Sequence, residues 1–421
     1  MKHPATRVAF RFCVLYFILY TLAGQIFGGV FLYPGLVPAL GTRWPLRDLT
    51  LWTAEHVFGG TPPFVYAGTS GDTFFHWVQT ALLLAAAVAG TIVWSALDRR
   101  TASVRLHAWF RLYLRFALAA QMFYYGMAKV IPTQFPPPAL VTLVRPVGDL
   151  SLTDLLWVFI GASTPYQMFT GWAELVAGVL LVVPHTAALG ALVALADMVQ
   201  VFVLNMTYDF GLKQISFHLI LIALVLLAPD LRRLAAVLVL NRAAAAPTHP
   251  ALFRTPRANR VALAAQIAFG GLLLVAFANL SQRFYSAEGG PGAPRSPLRG
   301  IWAVERMAID GNERLPLVND YDRQWRRVIF DFADRMYFQR WDDSYAAYGV
   351  SLDESRRSLA LTKGASRSWR AAFSYERPAP DRLILDGDMD GYRIRAELQL
   401  VERDTVRLLN SSFRWVRPAE P

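Results

Sequence analysis

Seven long apolar stretches occupy the first two thirds of the chain and limit what it can fold into. The hydrocarbon core of a membrane is about 30 Å thick, and roughly 20 apolar residues of α-helix cross it. Stretches that approach or reach this length lie at residues 10–32, 74–96, 109–131, 166–184, 186–205, 214–229 and 260–281. They predict a mainly α-helical integral membrane protein with about seven transmembrane helices.

Charge is distributed unevenly along the chain. Up to Gln282 there are 19 Lys and Arg and 10 Asp and Glu, whereas the remaining third holds 23 and 21. Only 17% of all residues are charged, and soluble domains carry about 25%. This composition excludes both a disordered chain and a single ordinary soluble domain, and it predicts a membrane part followed by a water-soluble part. The single cysteine, Cys13, excludes a disulfide framework and a cysteine-based metal site.

Loop charges predict the orientation of the helices, because cytoplasmic loops are enriched in Lys and Arg. With the N-terminus inside, twelve cationic residues fall on inner segments: Lys2, Arg7, Arg11, Arg99, Arg100, Arg105, Arg232, Arg233, Arg242, Arg254, Arg257 and Arg260. Four fall on outer loops: Arg43, Arg47, Arg145 and Lys213. We therefore predict a multi-pass protein of the bacterial inner membrane, with a cytoplasmic N-terminus and an extracytoplasmic C-terminal domain. The net charge of +11 is then explained by the cationic loops, which face the lipid bilayer. We expect the bilayer as partner and no binding to nucleic acid.

The first apolar stretch is longer than the core of a signal peptide and lacks a small-residue cleavage site, so we expect a retained helix.

Residues 1–104 are predicted to hold two transmembrane helices and a long outer loop, and residues 105–242 a four-helix membrane core. An inner loop and a seventh helix follow at 243–284, then a Gly- and Pro-rich linker at 285–298. Short surface helices are predicted at Leu46–Phe58 and Leu150–Ile160. Leu231–Leu240 is expected to lie on the surface or to extend the sixth helix.

Residues 299–421 alternate apolar and polar side chains with the period of two that is typical of β-strands. The predicted strands are Gly300–Ile309, Trp325–Phe332, Met336–Trp341, Tyr345–Leu352, Leu359–Thr362, Trp369–Tyr375, Leu383–Leu385, Tyr392–Val401 and Phe413–Val416. Short strands at this spacing predict an all-β antiparallel barrel or sandwich. A Gly300-Ile301-Trp302 start together with Arg414 in the last predicted strand resembles the lipocalin-type barrel, which implies that the arginine covers the tryptophan ring.

One segment of this domain, Asp386 to Glu397, fits the spacing of an EF-hand calcium loop. That loop needs a helix on each side, whereas the flanking residues here alternate as strands. A hairpin turn explains the same residues, and we favour it over calcium binding. No other metal-ligand spacing stands out.

Polar and ionisable residues in the third to sixth apolar stretches are the candidates for function, because such groups are costly inside a bilayer. At about 1.5 Å per residue, Glu174 and Asp197 are expected roughly 12 Å below the outer surface, with Lys129 and His218 nearer to it. We predict these four as catalytic residues. Residues predicted to bind a cofactor are Tyr125, Gln121, Gln200, Asn205 and Arg115.

A purely structural role for this cluster stays open at the level of sequence. Glu174 could simply pair with Lys129 or Arg115 to hold the helices together. Gly171 and Gly178, seven residues apart, would let a neighbouring helix approach closely.

Three sequence elements carry a family resemblance: Arg115–Phe116, Tyr125-Gly126-Met127-Ala128-Lys129-Val130, and Gly171-x-x-Glu174-x-x-x-Gly178-x-Leu180-Leu181. In order and spacing they resemble the DoxX family of small four-helix membrane proteins, over about residues 105–232. The resemblance implies a four-helix core and an association with redox complexes, including quinone-linked oxidation. The extra helices and the exported domain are departures from the small members.

Two functional hypotheses follow. The first is a redox-associated membrane protein with a quinone-type or proton-handling site in the outer half of the bundle, in which a role as subunit of a quinone-linked oxidoreductase stays open. The alternative is a non-enzymatic membrane scaffold whose exported lipocalin-like domain binds a lipid, a small apolar ligand or a protein partner. Transport is less favoured, because inverted repeats and broken helices are not apparent.

Overall fold

A computed structural model describes residues 4–26, 40–60, 71–98, 104–244, 246, 251–287, 290–314, 324–363, 369–410 and 415–416 of the chain. Two compact units are present. The first contains Met1–Gln134 and Pro165–Arg283, and the second contains Phe135–Thr164 and Phe284–Pro421. The sequence analysis does not predict the grouping of residues 135–164 with the C-terminal residues.

The α-helices in the described residues are α1 Pro4–Ala23, α2 Leu46–His56, α3 Phe74–Leu97, α4 Val104–Val130, α5 Leu140–Leu143, α6 Leu152–Gly161, α7 Thr164–Val182, α8 Ala187–Thr207, α9 Lys213–Leu227, α10 Leu231–Leu238, α11 Pro256–Ser286 and α12 Arg407–Asn410. Each of the seven predicted apolar stretches corresponds to one of them. The expected limits of the first stretch were wrong, because α1 begins six residues earlier and ends at Ala23, before residues 24–32. Both short surface helices are present as α2 and α6, and Ser151 caps α6 in a capping box with Asp154.

Among the described residues, five helices are long and apolar enough to cross a membrane: Pro4–Ala23, Phe74–Leu97, Ala187–Thr207, Lys213–Leu238 and Pro256–Ser286. The fourth of these joins α9 to α10 through a 3-10 turn, as the second reading of Leu231–Leu240 predicted. Of the other two predicted spans, α4 carries Arg105, Arg111, Arg115 and Lys129, and α7 is polar in its first half. Three of the predicted site residues that can carry a charge, Arg115, Lys129 and Glu174, therefore lie on the two predicted spans that are not among these five helices.

Arginine side chains close the carboxyl ends of helices in the first unit. Arg11 donates to the backbone carbonyl of Asp98, just after α3, and also pairs with its carboxylate at 3.6 Å. Arg111 reaches the carbonyl of Leu226 near the end of α9 and forms an ion pair with Asp230, both at 3.4 Å. The last carbonyls of a helix have no intrahelical partner, and leaving them unpaired away from water costs free energy. These arginines supply the missing donors.

The strands of the second unit are β1 Arg295–Ile309, β2 Asn312–Glu313, β3 Trp325–Phe332, β4 Arg335–Arg340, β5 Tyr345–Asp353, β6 Ser358–Thr362, β7 Arg370–Ala379, β8 Arg382–Met389 and β9 Tyr392–Leu400. Neighbouring strands pair antiparallel in the order β2-β1-β3-β4-β5-β6-β7-β8-β9, and β1 also pairs with β9. The result is a closed eight-stranded antiparallel barrel with β2 as a short appendage, which confirms the predicted barrel.

The predicted last strand, Phe413–Val416, is not the closing strand. Phe413 and Arg414 lie outside the described residues, Trp415 and Val416 are not in a strand, and β9 closes the barrel on β1. Trp302 is fully buried, and its indole N–H donates to the carbonyl of Leu298 at 2.9 Å. The cation over its ring, at 5.8 Å from the centroid, belongs to Arg377 of β7. A cation therefore covers the tryptophan ring from β7, and the prediction for Arg414 itself falls outside the described residues.

Large side chains occupy the interior of the barrel. Trp325 stacks on Phe338 with ring centroids 3.8 Å apart, and Phe330, Phe373 and Trp302 are almost completely buried. Eight strands enclose a space that side chains alone can fill. The barrel is therefore a packed core in the region of these residues.

The segment 135–164 packs within the second unit, against the barrel. Leu140 of α5 clusters with Ile301 and Ile329, and its backbone N–H donates to the buried carboxylate of Asp331 at 2.9 Å. Arg295 and Arg299 pair with the same carboxylate, each at 3.2 Å. Asp331 therefore joins the segment to the first and second long strands.

The EF-hand match is a hairpin. Asp386 to Met389 end β8, Asp390 and Gly391 have positive φ angles of 53° and 81°, and Tyr392 starts β9. Positive φ at both central residues is the geometry of a type I′ hairpin turn. Asp386 forms an ion pair with Arg393 at 2.7 Å, so its carboxylate is already paired with a cation of the opposite strand.

Candidate functional site

The crossing of α4 and α7 builds the site. A Cβ atom on Gly171 would lie 2.7 Å from Cβ of Lys129 and 2.8 Å from the carbonyl oxygen of Gly126. A Cβ atom on Gly178 would lie 2.6 Å from the ring of Phe123. Any other residue at these two positions would separate the helices, so the glycines bring Lys129 opposite Glu174. This confirms the close approach predicted from the glycine spacing.

Lys129 and Glu174 form a buried ion pair. The Nζ atom of Lys129 donates to Oε1 at 2.7 Å and to Oε2 at 2.8 Å. The Glu174 side chain is 1% exposed and that of Lys129 is 10% exposed. Lys129 also lies 5.6 Å from the centre of the Tyr125 ring, within cation–π range. Of the two partners proposed for Glu174, Lys129 is therefore the one present.

Asp197 of α8 adds a second carboxylate to this pair. Its charge interacts with those of both Lys129 and Glu174. The Oδ2 atom is buried and has no hydrogen-bond partner in the described part of the chain. One ammonium group and two carboxylates thus share one region of the bundle, and one carboxylate oxygen is without a donor.

An amide and tyrosine network extends the cluster toward α1. The side-chain amide of Gln25 donates to Oε1 of Gln121 at 3.2 Å and to the hydroxyl of Tyr125 at 2.6 Å. Gln121 is fully buried, and its own Nε2 donor has no partner among the described residues. Gln25 therefore joins the two predicted residues Gln121 and Tyr125. Tyr125 in turn lies next to Lys129.

His218 has its own set of partners. The hydroxyl of Tyr16 lies 2.7 Å from Nε2, and Nδ1 lies 2.7 Å from the carbonyl oxygen of Gln214. The ring also stacks on Tyr20, with centroids 3.6 Å apart. Because a backbone carbonyl only accepts, Nδ1 carries the proton and Nε2 accepts from Tyr16. Both nitrogens are occupied, and in the described residues none of these contacts involves Lys129, Glu174 or Asp197.

The remaining predicted residues are placed elsewhere. Arg115 donates to the carbonyls of Leu181 and Val182 and, at 3.3 Å, to Gln266, so it closes the end of α7. Asn205 donates to the Leu212 carbonyl and to the Ser216 hydroxyl, both at 3.2 Å, across the turn between α8 and α9.

Gln200 is exposed on α8, and within the described ranges it makes none of the polar contacts of the cluster. The structure thus joins Gln121, Tyr125, Lys129, Glu174 and Asp197 into one group and leaves Arg115, Asn205 and Gln200 outside it.

Sequence reasoning missed Gln25 and Tyr16. Gln25 follows the end of α1 and lies within the first predicted apolar stretch, 10–32. Its amide is a polar group inside an apolar stretch, which is a signal for function, but nothing in the local sequence indicates α4 as its neighbour. Tyr16 lies in a run of aromatic residues that is equally typical of a lipid-facing helix.

Comparisons with known proteins give one relationship. Over 135 residues, 32% of this chain, the sequence is 34% identical to "Uncharacterized protein YwoB" of Bacillus subtilis (strain 168), and the match covers 83% of that protein. No family model matches the chain, and no solved structure matches it. Identity at this level over most of the relative's length shows common descent, so the chain belongs to the same family as Bacillus subtilis YwoB.

Proposed function

We propose that this chain is a multi-pass protein of the bacterial cytoplasmic membrane whose Lys129, Glu174 and Asp197 side chains handle protons for a quinone-type redox ligand. The observation that carries the proposal is the composition of the buried cluster. One ammonium group faces two carboxylates in a bundle of apolar helices, and a carboxylate oxygen and an amide donor are left without partners.

Charge arithmetic supports proton handling. With all three groups ionised, the cluster carries one net negative charge, which is costly in a medium of low dielectric constant. A bound proton removes that charge, and a proton taken up or released by a neighbouring ligand can be exchanged with it. Glu174 is neutralised by Lys129, so Asp197 is the group that we assign to proton exchange.

The unpaired groups suit a small ligand with carbonyl or hydroxyl oxygens. A quinone ring has two such oxygens. Oxidation of the corresponding quinol to the quinone releases two protons and two electrons. Gln121 Nε2 and the third N–H of Lys129 are donors for a carbonyl oxygen, while Asp197 Oδ2 is an acceptor for a hydroxyl. His218 is not part of this ligand set, because Tyr16 and Gln214 already use both ring nitrogens.

Topology and resemblance complete the proposal. We propose seven transmembrane helices, in which the five more apolar helices surround α4 and α7 and shield them from lipid. The N-terminus is cytoplasmic and the barrel is extracytoplasmic. The excess of Lys and Arg in the predicted inner segments supports this orientation. The glycine, glutamate and lysine pattern of α4 and α7 supports a DoxX-like core, a family whose members include proteins of quinone-linked oxidation.

Quinone binding by the purified full-length chain tests the proposal. A short-chain ubiquinone analogue is titrated into the protein in mild detergent, and its affinity is compared with that of the Glu174→Gln/Asp197→Asn double variant. Loss of a hydrogen bond to a charged group weakens binding by about tenfold to a hundredfold. Asp209→Asn is the matched control, since Asp209 is an exposed carboxylate paired with Lys213. Equal affinity in parent and double variant would contradict the proposal.

A non-enzymatic scaffold is the second candidate, and one observation favours it. Lys129 and Glu174 satisfy each other at 2.7 and 2.8 Å, as a purely structural pair would. Because aromatic side chains fill the barrel core, a scaffold would use the outside of the barrel, which suits a protein partner better than an enclosed ligand. A chain that binds no quinone but retains a protein through its C-terminal domain would support this candidate.

A further inference from the structure

The first unit has a large apolar groove between α1, α4 and α11, on the opposite part of α4 from Lys129. Its volume is 1320 Å³, larger than the roughly 300–1,000 Å³ of ordinary small-molecule pockets. The lining includes Val14 and Ile18 of α1, Phe110 and Phe116 of α4, and Phe269 of α11. We propose that this groove is a binding site for an anionic phospholipid, with the acyl chains along the groove and the headgroup at Arg257.

The length of the groove fits one leaflet of a bilayer. On α11 the lining residues run from Arg257 to Phe269, a distance of about 18 Å at 1.5 Å per residue. Half of the hydrocarbon core is about 15 Å thick. Almost all the lining side chains are apolar, and two of the polar ones are already paired, Tyr113 with Thr21 and Gln266 with Arg115. An acyl chain therefore meets no unsatisfied polar group along most of its length.

The positive charge of Arg257 at one end of the groove favours an anionic headgroup over a zwitterionic one. Arg257 lines the groove, is exposed, and forms no ion pair within the described part of the chain. The sequences of the three helices that form the groove, residues 4–23, 104–130 and 256–286, contain no Asp or Glu. Asp98 and Asp230, the acids that precede α4 and α11 in the sequence, pair with Arg11 and with Arg111 and Arg233. A negative headgroup at Arg257 thus meets a cation that forms no ion pair with a carboxylate of the described residues, whereas a zwitterionic headgroup gains less.

This inference depends on the membrane location proposed above and is independent of the charged cluster, since none of Lys129, Glu174 and Asp197 lines the groove. Its failure would leave the quinone proposal unaffected, and the reverse also holds. Filling the groove and removing its charge are separate perturbations. Ala265→Trp places a large side chain in the groove, and Ala264→Trp, on the adjacent and exposed position of α11, is its control. Arg257→Gln removes the charge, and Arg242→Gln, at an exposed arginine away from the groove, is its control.

Native mass spectrometry of the full chain in detergent measures the effect with two probes of equal chain length, dioleoylphosphatidylglycerol and dioleoylphosphatidylcholine. One cation near a membrane surface contributes about 1 kcal/mol toward an anionic lipid, so we expect the parent to bind the anionic probe about fivefold more tightly. Arg257→Gln should remove this preference, and Ala265→Trp should weaken both probes. Both controls should behave as the parent.

Three results would overturn the assignment. One is equal affinity of the parent for the two lipids. Another is an equal loss of binding in Ala264→Trp and Ala265→Trp. The last is displacement of the anionic lipid by an equimolar long-chain ubiquinone, which would assign the groove to an isoprenoid tail instead.

Discussion

Replacing Lys129 by methionine tests whether the ion pair at the centre of the bundle is as desolvated as the structure shows. Methionine has nearly the same length, so packing against Gly171 is preserved while the charge is lost. The Glu174 carboxylate, 1% exposed, would then be left with both oxygens without the donor that binds them at 2.7 and 2.8 Å. Breaking a buried pair by removing one partner costs about 3–5 kcal/mol.

Thermal unfolding of the full chain in detergent, followed by circular dichroism, measures this loss. For a unit of this size the unfolding temperature falls by about 2–4 °C per kcal/mol, so the expected shift is about 6–20 °C. Lys213→Met is the matched control: Lys213 pairs with Asp209 at the same 2.7 Å, but the Asp209 side chain is 82% exposed. An exposed pair contributes about 0–1 kcal/mol. Shifts of equal size in the two variants would refute the reasoning.

The Lys129→Met/Glu174→Met double variant removes both charges of the pair and is compared with Lys129→Met. Replacing a buried ion pair by apolar residues of similar volume is often neutral or stabilising. We therefore expect the double variant to unfold close to the parent temperature, well above Lys129→Met. A double variant as unstable as the single one would show that the pair is not a coupled unit.

Three further predictions concern residues outside the cluster. Arg115→Met should cost about 1–3 kcal/mol for each α7 carbonyl left without a donor, measured by thermal unfolding. Tyr16→Phe should cost about 1 kcal/mol and leave quinone affinity unchanged, because it removes only the hydrogen bond to His218. In the barrel, hydrogen bonds from the Ser355 side chain and from the Arg356 and Ser355 backbone hold the pKa of Asp353 below its usual 3.8. A lowered folded-state pKa adds stability above 3.8 that is lost as the pH falls through the folded value, so Ser355→Ala should be less stable than the parent at neutral pH, and the difference should shrink in acid.

Local periodicity predicted most of the secondary structure. The eight long strands appear at β1 and β3–β9 because the alternation of Trp325–Phe332 and its neighbours places one side of each strand in a packed interior. Closure of the barrel by Tyr392–Leu400 on β1 could not be read from the sequence, because strand pairing between distant segments has no local signal. The same limitation applies to Trp302, because its sequence context does not indicate that Arg377 of β7 lies over its ring.

The candidate site was predictable in part. The position of Glu174 between two glycines indicates a close helix crossing, and Lys129 is one of the two partners that the sequence offers for Glu174. The depth of a residue in the membrane is a poor guide to its contacts, because it does not say which side of the helix the side chain lies on. The depth of His218 and the position of Gln200 in the fifth apolar stretch place both in the predicted site, whereas His218 contacts Tyr16 and Gln214, and the Gln200 side chain is exposed. Gln25 was missed because its partners lie about 100 residues away in sequence.

The most direct test of the central claim is quinone affinity in the Lys129→Met/Glu174→Met double variant, once its unfolding temperature shows that the fold is kept. A cluster that binds the ligand and exchanges its protons predicts a folded variant with affinity reduced at least about tenfold, because a charge-assisted hydrogen bond is lost. A folded variant that binds the quinone as tightly as the parent would contradict the account and leave the ion pair with a structural role alone.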